Sequence, residues 1–288
     1  MLSVRFATVV GMASMEEEMY ILYHQLCNGR EAEMRVYSNV DFTFRRCLPV
    51  PQNILCLLYV RRLHELLNTH IYAPTIDDMV ACAEHKCLYV VASTRCVYKI
   101  MTDHKLRHDA TWPETELLSR PVGLSLIRQE HEVLLLVVCA TGELVKVNER
   151  GRCVHTIVLQ ASVKCLYHAV QLHVNTGHYV VSYREKSCVR CSNVISIVDD
   201  LGRVMRRYGD WWTLSVRELR RHPVSIAVDS DGFVFVADIR NNRVMLLSPS
   251  LQFVRSIETD EPPRSLHLDQ KSRRLSVRLD SSVSIFQL

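Results

Sequence analysis

The densest group of side chains with binding chemistry lies between residues 203 and 221. Arginines occur there with two adjacent tryptophans, and the candidate binding residues are Arg206, Arg207, Trp211, Trp212, Arg220 and Arg221. Guanidinium groups bind carboxylates and phosphates, and exposed aromatic rings stack on bases or form the centre of protein interfaces. The pattern favours a protein partner, with RNA as the alternative. A structural interpretation stays open beside both, in which the tryptophans pack inside the fold and the arginines are solvated.

The cysteines bear on metal binding and on the redox environment. Cys188 and Cys191 have the spacing of zinc or redox ligands, but no second pair follows at zinc-site distance. We interpret them as two independent thiols in a surface insertion, with a redox pair or half of a metal site as the alternative. Most of the eleven cysteines, such as Cys82 and Cys139, lie in apolar runs and predict thiols packed in the core. An odd, largely buried set predicts a reducing, cytoplasmic location.

Signatures of catalysis are absent from the sequence. The chain has no motif for serine hydrolases, zinc peptidases, phosphate-binding loops or dinucleotide binding, and it has only nine glycines. His168 and His173 fall on one strand-like segment, and His267 falls in a corresponding segment near the end of the sequence. This recurrence raises a metal site as an alternative to structural, hydrogen-bonded histidines. We predict no enzyme activity, no cofactor and no metal. The net charge of +4 is too small to require a polyanionic partner.

The secondary structure that must position these side chains is clearest in residues 223–255. Four short apolar or β-branched runs occupy 225–228, 233–237, 244–247 and 253–257. The turn residues Asp231-Gly232 and Asn241-Asn242 separate them, and both suit turns that need positive φ. The stretch therefore predicts four antiparallel strands joined by tight turns.

This stretch resembles an NHL repeat, a unit of β-propellers. The matching residues are Pro223, 226–229 (IAVD), 231–232 (DG), 236–238 (VAD) and 241–244 (NNRV). The resemblance implies that Asp238 and Arg243 tie strands and turns together. In tripartite-motif proteins, such a propeller selects the protein or RNA brought to a ubiquitin ligase. The RING, B-box and coiled-coil modules are not found here, so we interpret the chain as a stand-alone propeller or a fragment.

A second alternative follows from the same resemblance. Some related propellers, the peptidyl-hydroxyglycine lyases, hold zinc through histidines in the central channel. The resemblance therefore also implies a degenerate channel-centred, metal-dependent lyase or hydrolase as a function to weigh against the interaction scaffold.

Weaker copies of the unit recur along the chain and predict an all-β, six-bladed propeller of four-stranded antiparallel blades. The approximate blades are 8–50, 76–112, 121–160, 165–209, 223–258 and 263–288. The last copy has only three strands, which would leave an unpaired edge. We expect residues 2–7 to join the last blade as its fourth strand and so to close the ring, giving a single domain over 1–288.

Two segments do not fit the four-strand pattern. Residues 52–70 have near-helical apolar spacing, which predicts a short helix or a degenerate connection, and 211–221 predict an elaborated surface loop. No apolar run approaches the length of about 18 residues that a membrane span needs. The oligomeric state has no signal in the sequence.

Overall fold

The structure is a computed structural model that describes residues 2–3, 7–25, 32–50, 76–92, 96–102, 119–129, 132–174, 176–186, 193–208 and 225–288. Every regular element in these ranges is a β-strand. Within the same ranges, no helix has the length and apolar character to cross a membrane.

The strands form six antiparallel sheets, which are the blades of a six-bladed propeller. The first blade contains β2 (Ala7–Met15), β3 (Glu18–Gln25), β4 (Ala32–Ser38) and β5 (Phe44–Leu48). The second contains β6 (Ile76–Cys82), β7 (Cys87–Ala92) and β8 (Cys96–Met101). The third contains β9 (Pro121–Arg128), β10 (Val133–Cys139), β11 (Glu143–Val147) and β12 (Cys153–Val158). The predicted fold class is confirmed.

The remaining three blades follow the same order. The fourth contains β13 (Val163–Gln171), β14 (His178–Glu185), β15 (Asn193–Asp199) and β16 (Val204–Tyr208). The fifth contains β17 (Ile226–Val228), β18 (Val234–Asp238), β19 (Arg243–Leu247) and β20 (Phe253–Glu258). The sixth contains β21 (Ser265–Asp269), β22 (Arg274–Arg278), β23 (Ser282–Gln287) and β1 (Leu2–Ser3).

The middle strands of a blade are apolar on both faces because each lies between two neighbouring blades. In β18, Val234 and Val236 pack against the fourth blade, whereas Phe235 and Ala237 pack against the sixth. Successive side chains of a strand point to opposite faces, so a strand buried on both sides is a continuous apolar run. The core is therefore divided into layers between adjacent blades.

The fifth blade agrees with the prediction for residues 223–255. Gly232 has φ of +84° in the turn between β17 and β18, as expected for the Asp-Gly pair. In the next turn Asn242 has φ of +48°, but Asn241 does not take a positive φ. Asn241 instead donates its side-chain amide to Asp238 at 2.8 Å, which fixes the turn through the side chain.

Ring closure uses the N-terminus as predicted. Leu2 and Ser3 of β1 pair antiparallel with Val283 and Ser282 of β23. β2 also packs against β21, so the inner strands of the first and last blades meet. The described part of the closing strand is therefore two residues long and is supplemented by contacts between these two blades.

The outermost strands are interrupted by bulges. In the first, third, fourth and fifth blades, the register between the last two strands shifts once, at 36/37, 146/147, 197/198 and 246/247. A bulge twists an edge strand and disrupts further pairing, which limits edge-to-edge association. This protection matters because exposed apolar residues, including Phe44, Met205 and Phe253, lie near the starts of these strands.

Candidate functional site

The two faces of the ring follow from the direction of the inner strands. The first strand of each blade contacts the first strand of the next, all around the ring. We call the face at which these inner strands begin the top and the face at which they end the bottom. Turns between the first and second strands, and between the third and fourth, lie at the bottom. The connections between blades that the structure describes in full, 159–162 and 259–264, lie at the top.

Two of the predicted binding residues, Arg206 and Arg207, lie on the outermost strand of the fourth blade. They are consecutive in β16, so their side chains point to opposite faces. Arg207 binds both carboxylate oxygens of Glu185, at 2.9 and 2.7 Å. Nearby, Arg203 binds Asp199 at 2.7 Å and fixes its own turn. Trp211, Trp212, Arg220 and Arg221 lie outside the described residues, so a recognition surface there stays a prediction.

The first polar contact in the central channel joins His168 and Asp78. The Nε2 of His168 lies 3.2 Å from the Asp78 carboxylate, and its Nδ1 accepts the Ile226 N–H at 3.4 Å. Asp78 also accepts the Leu124 N–H at 2.8 Å. Gly123 permits this approach, because a Cβ there would lie 3.2 Å from the His168 ring and 2.8 Å from a backbone oxygen. The contact thus links four blades.

The second polar contact in the channel joins the last blade to the first. His267 Nε2 is hydrogen bonded to Ser14 Oγ. Burial lowers the pKa of His267 to about 4, so the ring is neutral near pH 7. Two residues later on the same strand, Asp269 accepts hydrogen bonds from Asn39 at 2.9 Å and from Ser272 at 2.7 Å. These residues hold the ring closed from the inside.

The histidines and carboxylates of the channel do not converge on one point. No group of three or more His, Cys, Asp or Glu side chains that could hold a metal lies within the described ranges. His168 and His267 instead have separate partners. His173, which the sequence placed on the same strand as His168, lies beyond the end of β13. That expectation was wrong, because the strand ends at Gln171 and the chain turns before His173.

The described cysteines are free thiols, and three of them are fully buried in one layer between the second and third blades. Burial raises the pKa of Cys82 to about 11 and the pKa values of Cys87 and Cys139 to about 12. A thiol with such a pKa is a poor nucleophile near pH 7. Cys188 and Cys191 lie outside the described residues.

A cleft of about 560 Å³ opens on the bottom face between the second and third blades. Three turns build it: the turn after β6, the turn after β9 and the turn after β11. Its lining residues are Glu84, His85, Arg128, Gln129, Glu132, Val133, Asn148, Glu149 and Arg150. Eight of these nine residues are polar or charged, which favours a polar ligand.

Local contacts orient the cleft residues. Arg128 Nε lies 3.7 Å from Glu84, and His85 Nδ1 lies 2.9 Å from the Tyr89 hydroxyl. Partial burial alone would raise the pKa of Glu84, but a backbone hydrogen bond and the charge of Arg128 outweigh burial and leave the pKa below its usual range. Asn148 Oδ1 accepts the Arg150 N–H at 3.0 Å, which shapes the third turn. Charges of both signs therefore face one open cleft.

The sequence patterns indicate neither the cleft nor the channel contacts. The cleft residues come from three separate turns and form no motif, so only the register of the second and third blades brings them together. The channel residues were predicted in part, because the sequence placed His168 and His267 in corresponding strands. The missing signal was Asp78, a carboxylate in the apolar run of β6.

Comparisons with known proteins support the fold. Hydrazine synthase from Kuenenia stuttgartiensis matches with a TM-score of 0.57 and 10% identity, covering 100% of this chain and 97% of that chain. Virginiamycin B lyase from Staphylococcus aureus matches with a TM-score of 0.53 and 10% identity, covering 100% of this chain and 87% of that chain. No family model and no curated protein sequence matches. The comparisons thus show a six-bladed β-propeller and no family within that fold.

Proposed function

We propose that this chain is a non-enzymatic interaction scaffold that binds a protein partner through loops on the faces of the propeller. The cleft on the bottom face carries the proposal. It is open and polar, and the turns of two rigid blades build it. Loops held on a rigid scaffold are frequent sites of recognition, whereas small-molecule sites are mostly apolar and concave. The segment with Arg206 and Trp211 is proposed as a second contact surface.

The assignment to an NHL-type propeller belongs to this proposal and is based on residues 223–255. Both structural neighbours are named after enzymes, so the fold itself is compatible with catalysis. The channel contacts favour the scaffold over a lyase or hydrolase. His168 and Asp78 bind each other, as do His267 and Ser14, and each pair links different blades. A structural role accounts for both pairs.

The test uses charge reversal in the cleft. The purified chain is used as bait, and captured proteins are quantified by mass spectrometry with and without nuclease. We expect Glu132→Lys with Arg150→Glu to lose partners that the unchanged chain retains after nuclease treatment. Asp231→Lys with Lys271→Glu is the matched control, because these exposed residues lie on the same face in other blades.

Two outcomes would contradict the proposal. Partners that survive the cleft variant as well as the control would show that the cleft is not the contact surface. Partners that disappear with nuclease would support RNA binding instead.

A further inference from the structure

A group of cationic side chains surrounds the start of β13 on the top face. Arg120 directly precedes β9, Lys164 follows the first residue of β13, and Lys186 follows the end of β14. Arg184 lies opposite Cys165 in the β13–β14 pair, and the backbone N–H of Lys186 donates to Ser162 at 2.7 Å. We call Arg120, Lys164, Arg184 and Lys186 the top-face basic cluster.

Arg120 is held beside the start of β13 although 64 residues separate it from Arg184 in the sequence. The Ala140 N–H donates to the Arg120 carbonyl at 2.9 Å, and the Leu166 N–H donates to the Ala140 carbonyl at 3.1 Å. Burial raises the pKa of the Cys165 thiol, and the positive charges of Arg120 and Arg184 both act against that rise. Cys165, Arg184 and Asn193 lie opposite one another on three adjacent strands, so their side chains share one face of the fourth blade. Two guanidinium groups therefore approach one row of side chains.

This row contains buried polar atoms that have no protein partner. Arg184 Nε and Asn193 Oδ1 are both buried without a hydrogen bond within the described residues. Asn193 is only 5% exposed. Buried polar groups are nearly always hydrogen bonded, and an unpaired one calls for an explanation such as an absent ligand. An amide can turn over, so Asn193 can present its NH2 group to an acceptor.

The arginines also lack the carboxylate partners that neighbouring arginines have. In the described part of the chain, Arg207 pairs with Glu185, whereas neither Arg120 nor Arg184 pairs with an acidic side chain. Glu143, on the adjacent turn, instead accepts hydrogen bonds from Ser119 and Thr141. Arg120 further has φ of +76°, a conformation that costs free energy in a residue other than glycine.

We propose that the top-face basic cluster binds an oxyanion carried by an acidic segment of a protein partner. Arg120 and Arg184 would supply the charge, and Arg184 Nε and the Asn193 amide would supply buried hydrogen bonds. Carboxylate and phosphate groups share the chemistry that two guanidinium groups recognise. This site lies on the face opposite the cleft and does not depend on the function proposed for the cleft.

The surroundings favour a protein segment over RNA. Binding of single-stranded RNA combines a basic groove with exposed aromatic rings on which bases stack. Among the described residues, the strongly exposed aromatic side chains are Phe44 and Phe253. Both begin outer strands at the bottom end of their blades. The top-face basic cluster also has Glu143 and Glu185 nearby, which suits a short acidic segment better than a long polyanion.

Fluorescence anisotropy with the full chain tests the proposal. The probes are three labelled peptides of equal length, rich in glutamate, in phosphoserine or in glutamine, and a single-stranded RNA of random sequence. We expect at least one of the two acidic peptides to bind and the glutamine peptide not to bind. The preferred acidic peptide identifies carboxylate or phosphate as the source of the oxyanion.

Variants then assign the binding to the cluster. Arg120→Gln with Arg184→Gln should weaken the acidic peptide at least 10-fold, and Arg184→Lys should weaken it less. Arg255→Gln, an exposed arginine on the outermost strand of the fifth blade, is the matched control and should leave the affinity unchanged. Thermal melts confirm folding, and Arg120→Gln alone serves if the double variant does not fold.

Three results would overturn the proposal. The first is that neither acidic peptide binds to the unchanged chain. The second is that the cluster variants bind an acidic peptide as tightly as the unchanged chain. The third is that the RNA binds more tightly than both peptides and loses affinity in the cluster variants, which would assign the site to nucleic acid.

Discussion

His267 is the channel side chain whose charge state depends most on folding. Its pKa falls from an ordinary value of about 6.5 to about 4, because burial disfavours the imidazolium ion. The charges facing it are Asp78 and Asp269, which raise the pKa, and Arg128, which lowers it further. A depressed histidine pKa means that folding is favoured above the unfolded pKa and that this contribution is lost as the pH falls toward the folded pKa.

The first prediction concerns this histidine. Between pH 6.5 and pH 4, protonation of this histidine in the unfolded chain should remove up to about 3 kcal/mol from the free energy of unfolding. Urea unfolding at pH 7, 5.5 and 4.5 measures it, and His267→Gln provides the comparison because its side chain cannot be protonated. The difference between the two proteins should shrink as the pH falls. A difference that is the same at all three pH values would assign the acid sensitivity to other groups.

Gly232 tests the turn of the fifth blade. A Cβ at this position would meet a positive φ of +84° and would lie 2.6 Å from Cε1 of His173. We expect Gly232→Ala to destabilise the protein by about 1–3 kcal/mol, and Gly232→Val by more, because both the backbone and the contact are strained.

A double variant separates these two causes. If the backbone conformation dominates, the double variant Gly232→Ala with His173→Ala should still be less stable than His173→Ala alone. Gly11→Ala is the matched control, since a Cβ there would make only ordinary contacts at 3.5 Å or more. Full recovery in the His173→Ala background would show that the contact, and not φ, limits this position.

In the turn between β18 and β19, a buried aspartate and an arginine hold the blade together. Asp238 is buried and accepts hydrogen bonds from Arg243 Nε at 2.8 Å and from Asn241 at 2.8 Å. The fourth blade has a comparable pair in the turn between β15 and β16, where Asp199 accepts from Arg203. Arg203 is far more exposed than Arg243, at 58% against 33%. The two pairs should therefore differ in strength.

A pair of alanine variants measures this difference. Arg243→Ala leaves the buried Asp238 carboxylate without its cation and should cost about 3 kcal/mol, since an unpaired buried charge is expensive. Arg203→Ala should cost clearly less, because water can replace an exposed arginine. Chemical denaturation of the two variants under the same conditions gives the comparison. Equal losses would mean that burial does not control the strength of these pairs.

The sequence predicted the strands of the fold more completely than the contacts between the strands. The four strands of the fifth blade and the role of Asp238 followed from turn residues and from the resemblance to one repeat, which are local signals. Asp78 and His168 could not be paired in advance, because 90 residues separate them and only the ring brings their strands together. The cleft could not be predicted for the same reason, because its residues lie on three separate turns. The segments around Trp211 lie outside the described residues, so their role stays a prediction.

The ring as a whole presents two chemically different faces. The bottom face has a cleft with charges of both signs, and the top face has a cluster of arginines and lysines. A rigid disk of this kind can hold one partner on each face. The channel pairs and the closing contacts between the first and last blades keep the two faces in a fixed arrangement.

Closure combines backbone pairing with side-chain contacts. Arg278 donates to the Val9 carbonyl at 3.0 Å, and Asn39 donates to Asp269 at 2.9 Å, so the first and sixth blades are joined independently of β1. Loss of β1 alone should therefore loosen β23 while leaving the ring folded. Each backbone hydrogen bond of such a short strand contributes about 1 kcal/mol.

The most direct test of the closed ring is hydrogen exchange at β23. Leu2→Pro with Ser3→Pro removes the N–H donors of β1, whereas Leu2→Ala with Ser3→Ala keeps them. We predict that the proline variant loses protection at alternate amides near Val283, that the alanine variant does not, and that β21 and β22 stay protected in both. Equal protection of β23 in the two variants would contradict a ring closed by the N-terminal strand.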